Sequence, residues 1–291
     1  MKIRIAELGK RIFALFTDLV LTIMLSLCLQ TLVCMPIAMN TTNYNEAVFE
    51  YYEMKLDSHL FEVHKDSDSL SLITSNYDYH LNKFYGDYIG DIDIYNQDKL
   101  ESGLFEMKEG NVVIKESSSN AELNDFYLES LEKAERKFYD NDLIIKYTQT
   151  ITLVSWLTIM ISSVISITIF FLLFPLFLKN GSTLGKMVFG LGLTNKKGYS
   201  VKKIQIVIRF LVFLLFEFIL SIFMFGLPLL VSFTMTVFSK KGVSLHDYFA
   251  LTIVVDAKSS PIYRTEEEFI ANYKKINSNP DLSLYKKLKS K

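Results

Sequence analysis

At 291 residues the chain is half apolar and nearly neutral, with a formal net charge of −1. That balance hides two opposed parts: residues 40–142 hold 23 Asp and Glu against 9 Lys and Arg, whereas the remainder holds 9 acids against 22 bases. The long apolar runs of the remainder exclude a simple soluble domain, and no nucleic-acid partner is expected of so neutral a chain.

The first apolar run, residues 12–39, exceeds the roughly 20 residues that an α-helix needs to cross a bilayer core. Asp18 sits near its start, seven residues after Arg11. Seven steps of about 100° put the two on nearly the same helix face. A carboxylate costs about 2.5–3.5 kcal/mol at the centre of a membrane helix. Asp18 is shallower than that, but it still has to face protein, water or a partner charge. Thr22, Ser26 and Gln30 follow at four-residue steps, a polar stripe suited to hydrogen bonds between membrane helices. Lys2, Arg4, Lys10 and Arg11 ahead of the run also fit a secretory signal, but the run is too long for a signal core and carries an acid. A retained span is expected. Cys28 and Cys34, six residues apart, fall on different faces and have neither disulfide nor metal spacing.

Residues 40–142 are polar, acidic and Tyr-rich, and long enough for a small domain. Val48, Tyr52, Leu56 and Leu60 predict a helix over 45–61; residues 104–107 and 112–114, around Lys108-Glu-Gly-Asn111, predict a β-hairpin. A second helix is predicted over 122–141, running unbroken into the next span because no Pro or Gly intervenes. His59, His64, His80, Asp87, Asp91 and Asp93 lie in this segment without EF-hand spacing, so a solvated acidic face is expected rather than a metal site. Cytoplasmic flanks collect Lys and Arg, which puts this segment outside and both termini inside.

The second span is predicted within 143–178, with Pro175 loosening its last turn. Thr148, Thr152, Ser155, Ser162 and Ser166 form a stripe able to meet the one on the first helix. A third run, 206–238, is too long for one span and is broken at Gly226-Leu-Pro228. A hairpin of two short helices, shallow or re-entrant, returns the basic tail to the inside. Arg209 and Glu217 lie on roughly one face of it, paired with each other or with Arg11 and Asp18. In the tail, Thr265-Glu-Glu-Glu268 has the form of a capping box, and Lys286, Lys287, Lys289 and Lys291 suit an anionic leaflet or a solvated end.

Three separated pieces carry a specific pattern: Gly9-Lys-Arg11 through Asp18, Gly181-Ser-Thr-Leu-Gly-Lys186-Met-Val-Phe-Gly-Leu191, and Lys240-Lys-Gly-Val-Ser-Leu-His-Asp247 through Val255. In this order around a membrane core they resemble the RDD family of bacterial membrane proteins, named for an arginine at the start of the first helix and two aspartates. Arg11, Asp18 and Asp247 match those positions. The resemblance covers about residues 6–39 and 143–257, leaving the acidic segment as an insertion, and it implies a membrane core for which ion or small-solute transport is the usual suggestion. Read physically, the Gly181–Lys186 piece is not a P-loop, having three residues between its glycines and Met187 where Ser or Thr should stand. It predicts a turn and a short helix with Lys186 near lipid phosphates. Residues 191–194 and 199–201 flank a turn at Asn195-Lys-Lys-Gly198, and 251–255 would add a third strand. His246 is expected at the surface or as a cap.

The expected fold is therefore mainly α: a polytopic transmembrane helical bundle of two full spans plus a helical hairpin, with a small α+β extracytoplasmic domain and a short cytoplasmic β-element. Its segments are 1–39, 40–142, 143–257 and 258–291, in a cell membrane. No catalytic, cofactor or metal motif is found, and no enzyme is expected. Two functions stay open. One is passage of an ion or small solute along a polar pathway using Asp18 with Arg11, Asp247, Arg209 and Glu217. The other is an envelope binding or assembly protein whose acidic external domain engages a protein partner.

Overall fold

A computed structural model describes residues 5–63, 69–239, 242–259 and 262–277. His64, Lys240, Lys241 and the four tail lysines 286, 287, 289 and 291 lie outside the described residues. In chain order the elements are α1 (Leu8–Thr41), α2 (Tyr44–Asp57), β1 (Phe61–Val63), β2 (Leu70–Leu72), α3 (Tyr77–Lys83), α4 (Ile92–Glu101), β3 (Phe105–Lys108), β4 (Asn111–Ile114) and α5 (Asn120–Tyr139). Then come α6 (Asp142–Phe177), α7 (Leu184–Val188), β5 (Leu191–Asn195), α8 (Lys203–Phe223), α9 (Leu227–Phe238), α10 (Leu245–Ala250), β6 (Thr252–Asp256) and α11 (Glu266–Asn277). The chain divides into two compact units, with boundaries at Cys34/Met35 and Leu157/Thr158.

The unit between those boundaries has its own apolar core, built from Leu60, Phe84, Tyr95, Leu131, Ala134 and Phe138 among others. Its many tyrosines are packing residues with polar ends. Tyr85 and Tyr95 stack at 5.4 Å, and the Tyr95 hydroxyl donates to Asp78 at 3.1 Å. The buried Lys99 ammonium pairs with the same carboxylate at 2.6 Å and lies 4.2 Å from the Tyr95 ring centre. The predicted hairpin is β3–β4, closed by Glu109 and Gly110, both at positive φ, as a tight two-residue reversal requires.

α5 starts at Asn120 because Ser119 and Glu122 form a capping box: each side chain accepts from the other's backbone N–H. The expected continuation of α5 into α6 does not occur. The Asn141 side chain accepts the Leu143 N–H at 2.9 Å, which starts a new helix at Asp142. A short amide competing for the backbone ends a helix without Pro or Gly.

In the other unit, which includes Thr158–Phe177 of α6, the two hydroxyl stripes meet. Ser26 lies 3.1 Å from Ser163, Gln30 donates to Thr158 at 2.9 Å, and Ser166 donates to the Thr22 carbonyl at 2.7 Å. The turn at Ile169–Leu173 is widened to i→i+5 bonding just ahead of Pro175, which has no N–H to continue the regular ladder.

Three helices are long and apolar enough to cross a membrane: α1, α6 and α8. With their exposed apolar side chains (Phe16, Leu27, Leu157 and Leu215 among them) they make this a multi-pass membrane protein. The chain reverses after α8 at Phe225 and Gly226, both left-handed, and α9 packs back against residues 213–219. The expectation that both arms fall short of a span is corrected for the first. α8 has 21 residues, whereas the 12 of α9 rise only about 18 Å.

The small sheet pairs β5 with β6 antiparallel, Leu193 opposite Val254, and Ile5 bridges to Val255. The expected third strand, 251–255, is present as β6, whereas the expected hairpin partner 199–201 reduces to isolated bridges, Thr194 to Ser200 and Tyr199 to Tyr263. The Asn195 side chain accepts the N–H groups of Lys197 and Tyr199, which binds this stretch as a turn.

Candidate functional site

Asp18 is 1% exposed and faces protein. Its carboxylate accepts a hydrogen bond from the Thr183 hydroxyl and another, at 2.7 Å, from the Gly185 N–H. Thr183 also caps α7, accepting the Lys186 N–H. Gly185 is required here: a Cβ would overlap the Ala14 carbonyl oxygen and crowd the Asp18 carboxyl group. Backbone against backbone, α7 is locked to α1 by one carboxylate.

Arg11 does not share that arrangement. Its guanidinium donates to the Gly242 carbonyl, and no Arg11–Asp18 ion pair occurs among the described residues. Same-face placement is not contact: two turns separate the side chains along the helix, and each finds a nearer partner elsewhere, Arg11 on the loop at Gly242 and Asp18 on α7 and its N-cap.

The second cluster forms where α8, α9, α10 and β6 converge. Arg209 pairs with Asp247 at 2.8 Å, and Asp247 accepts further bonds from Thr252 at 2.7 Å and Ser244 at 2.8 Å. His246 bridges Arg209 and Glu217 of α8. Its backbone N–H and ring Nδ1 both meet Glu217 at 2.9 Å, while Nε2 lies 3.0 Å from Arg209. Arginine only donates, so Nε2 accepts and the network assigns the proton to Nδ1, donated to the Glu217 carboxylate. Arg209 and Glu217 therefore pair neither with each other nor with Arg11 and Asp18. The expected surface position of His246 is corrected as well; its imidazole is the wedge between them.

A cavity of about 110 Å³ opens beside this cluster, lined by Arg11, Lys186, Arg209, Glu217, Ser232 and Asp247 together with apolar side chains. At roughly 30 Å³ per molecule this is the liquid volume of three or four waters. Lys186 turns toward it. Burial, then repulsion from Arg209, pushes its ammonium down to about 8, against the pull of Asp18 and Asp247. Burial would raise the Asp247 carboxyl, but Arg209, Lys186 and the Thr252 hydrogen bond hold it down, at about 2. Sequence reasoning missed Thr183, Thr252 and the bridging role of His246. Ser244 was readable as a cap three residues before Asp247, whose N–H it accepts.

A family profile described as the RDD family matches residues 136–251. That stretch carries an RDD-family domain. It includes α7, Arg209, Glu217, His246 and Asp247; Arg11 and Asp18 precede it. No curated protein and no solved structure matches the chain. Among the described residues there is no cluster of three or more His, Cys, Asp or Glu able to hold a metal ion.

Two predictions follow from the cluster geometry. Asp18→Ala strands the buried Gly185 N–H and costs about 1–3 kcal/mol, whereas Asp18→Asn keeps an acceptor and costs less. Thermal unfolding in detergent micelles reads the difference, and equal losses for the two variants would contradict the clamp. The folded chain gives up the Lys186 proton before the unfolded chain does, so stability rises with pH between about 8 and the ordinary 10.5. Amine acylation followed by peptide mapping should show Lys186 half-reactive near pH 8; reactivity that climbs only above pH 10 would contradict its burial among cations.

Proposed function

We propose that this RDD-family protein passes an ion or small solute across a cell membrane by way of the cavity between Arg11, Lys186, Arg209, Glu217 and Asp247. The supporting observation is the cavity itself, a pocket lined by six ionisable side chains, His246 included, in a membrane protein, where such groups are costly and mark pathways. In this reading Asp18 does not bind the solute. It anchors α7, which carries Lys186 to the wall of the route. Two full spans plus the α8–α9 hairpin form the core, with both termini cytoplasmic and residues 40–142 on the far side, as the distribution of Lys and Arg favours.

A second reading is favoured by one separate observation: residues 35–157 include a core of their own, and residues 40–142 are strongly acidic. Such a unit suits engagement of a basic protein partner outside the membrane, with the RDD-family domain as anchor.

The test is flux into dye-loaded liposomes holding the full chain, under gradients of sodium, potassium, protons, chloride or phosphate. Lys186→Gln should slow the conducted species about tenfold, equivalent to about 1.4 kcal/mol of barrier, at equal protein content. Deletion of residues 45–140 should leave that flux in place. Flux equal to that of empty liposomes under every gradient would remove the transport reading and leave the binding one.

A further inference from the structure

We infer that the cavity beside Arg11 and Lys186 binds a small oxyanion, a phosphate group being the best chemical fit. Three cations line it, Arg11, Lys186 and Arg209, against two carboxylates, Glu217 and Asp247. Both carboxylates are already committed. Asp247 accepts from Thr252 and Ser244 and pairs with Arg209, and Glu217 takes two bonds from His246. A cation entering the cavity would therefore meet three positive charges and no free carboxylate.

The cations are less well satisfied. Apart from its bond to the Gly242 carbonyl, Arg11 holds a buried Nε without a hydrogen-bond partner. Among the described residues, the Lys186 ammonium has no hydrogen-bond or ion-pair partner. A guanidinium presents planar, parallel donors suited to two oxygens of one anion, and an ammonium adds a point charge for a third. Chloride would use the charge but not the fork. The volume of three or four waters holds one small oxyanion.

The same group can arrive as free phosphate or on a phospholipid head. The inference deepens the transport reading by naming the class of solute, and it is tested by binding so that each can fail alone. The experiment acylates the full-length protein at pH 8 in phospholipid-free detergent with an N-hydroxysuccinimide ester, and follows Lys186 against exposed Lys197 by peptide mapping. Sodium phosphate is compared with sodium chloride at equal ionic strength, and dihexanoyl phosphatidic acid forms a separate arm. Lys186 labelling should fall about tenfold once the probe reaches roughly ten times its dissociation constant, with Lys197 unchanged.

Protection by inorganic phosphate assigns a soluble anion, and protection by the lipid alone assigns the headgroup; either supports the site. Arg11→Gln should abolish the protection, and Arg11→Lys, which keeps the charge, should retain part of it. No protection by either probe, or equal protection in Arg11→Gln, would overturn the inference. Protection without any flux would sink transport and leave the anion site standing.

Discussion

Arg209 and Asp247 meet at 2.8 Å, 8% and 3% exposed. Taking two such charges out of water costs several kcal/mol per ion, and their attraction offsets this only when other groups satisfy the remaining donors and lone pairs. Here Thr252, Ser244 and His246 supply those groups, one each from β6, the N-cap of α10 and α10 itself. The pair therefore fixes two elements, β6 and α10, on a third, the membrane helix α8.

From that pair the constraint runs backwards through the chain. Thr252 opens β6, which is hydrogen-bonded to β5. β5 follows α7 after a two-residue turn, and α7 is held to α1 by Asp18. Two buried aspartates thus anchor one series of contacts, α1 to α7 to the sheet to α10 to α8. The cavity sits where these elements meet, which is why its wall draws cations from three of them: Arg11, Lys186 and Arg209.

Much of this was legible in the sequence. Apolar runs gave the spans, because length and hydropathy are local properties; Gly226-Leu-Pro228 gave the reversal, because φ > 0 at Gly and a missing N–H at Pro are local too. The hydroxyl stripes on α1 and α6 were readable from four-residue spacing, and a strand at 251–255 was placed in the same small sheet as 191–194. Partner choice was not legible. The acceptor role of Asp18 is met by a backbone N–H 167 residues away, a group that every residue but proline carries and that no spacing marks. Arg209 and Glu217 were placed on one face, yet the wedge between them is a histidine 29 residues beyond Glu217. The α5–α6 break escaped notice because Asn141 ends a helix through a side-chain hydrogen bond rather than by a backbone restriction.

The most direct test of the buried pair as the constraint on this unit is a double-mutant cycle on Arg209 and Asp247, with Arg209→Met, Asp247→Leu and the pair together, read by unfolding in detergent. Each single change strands one buried charge and should cost about 3–5 kcal/mol. The double variant should cost markedly less than the sum. Additive losses would mean that the two charges do not support each other, and the account built on them would be contradicted.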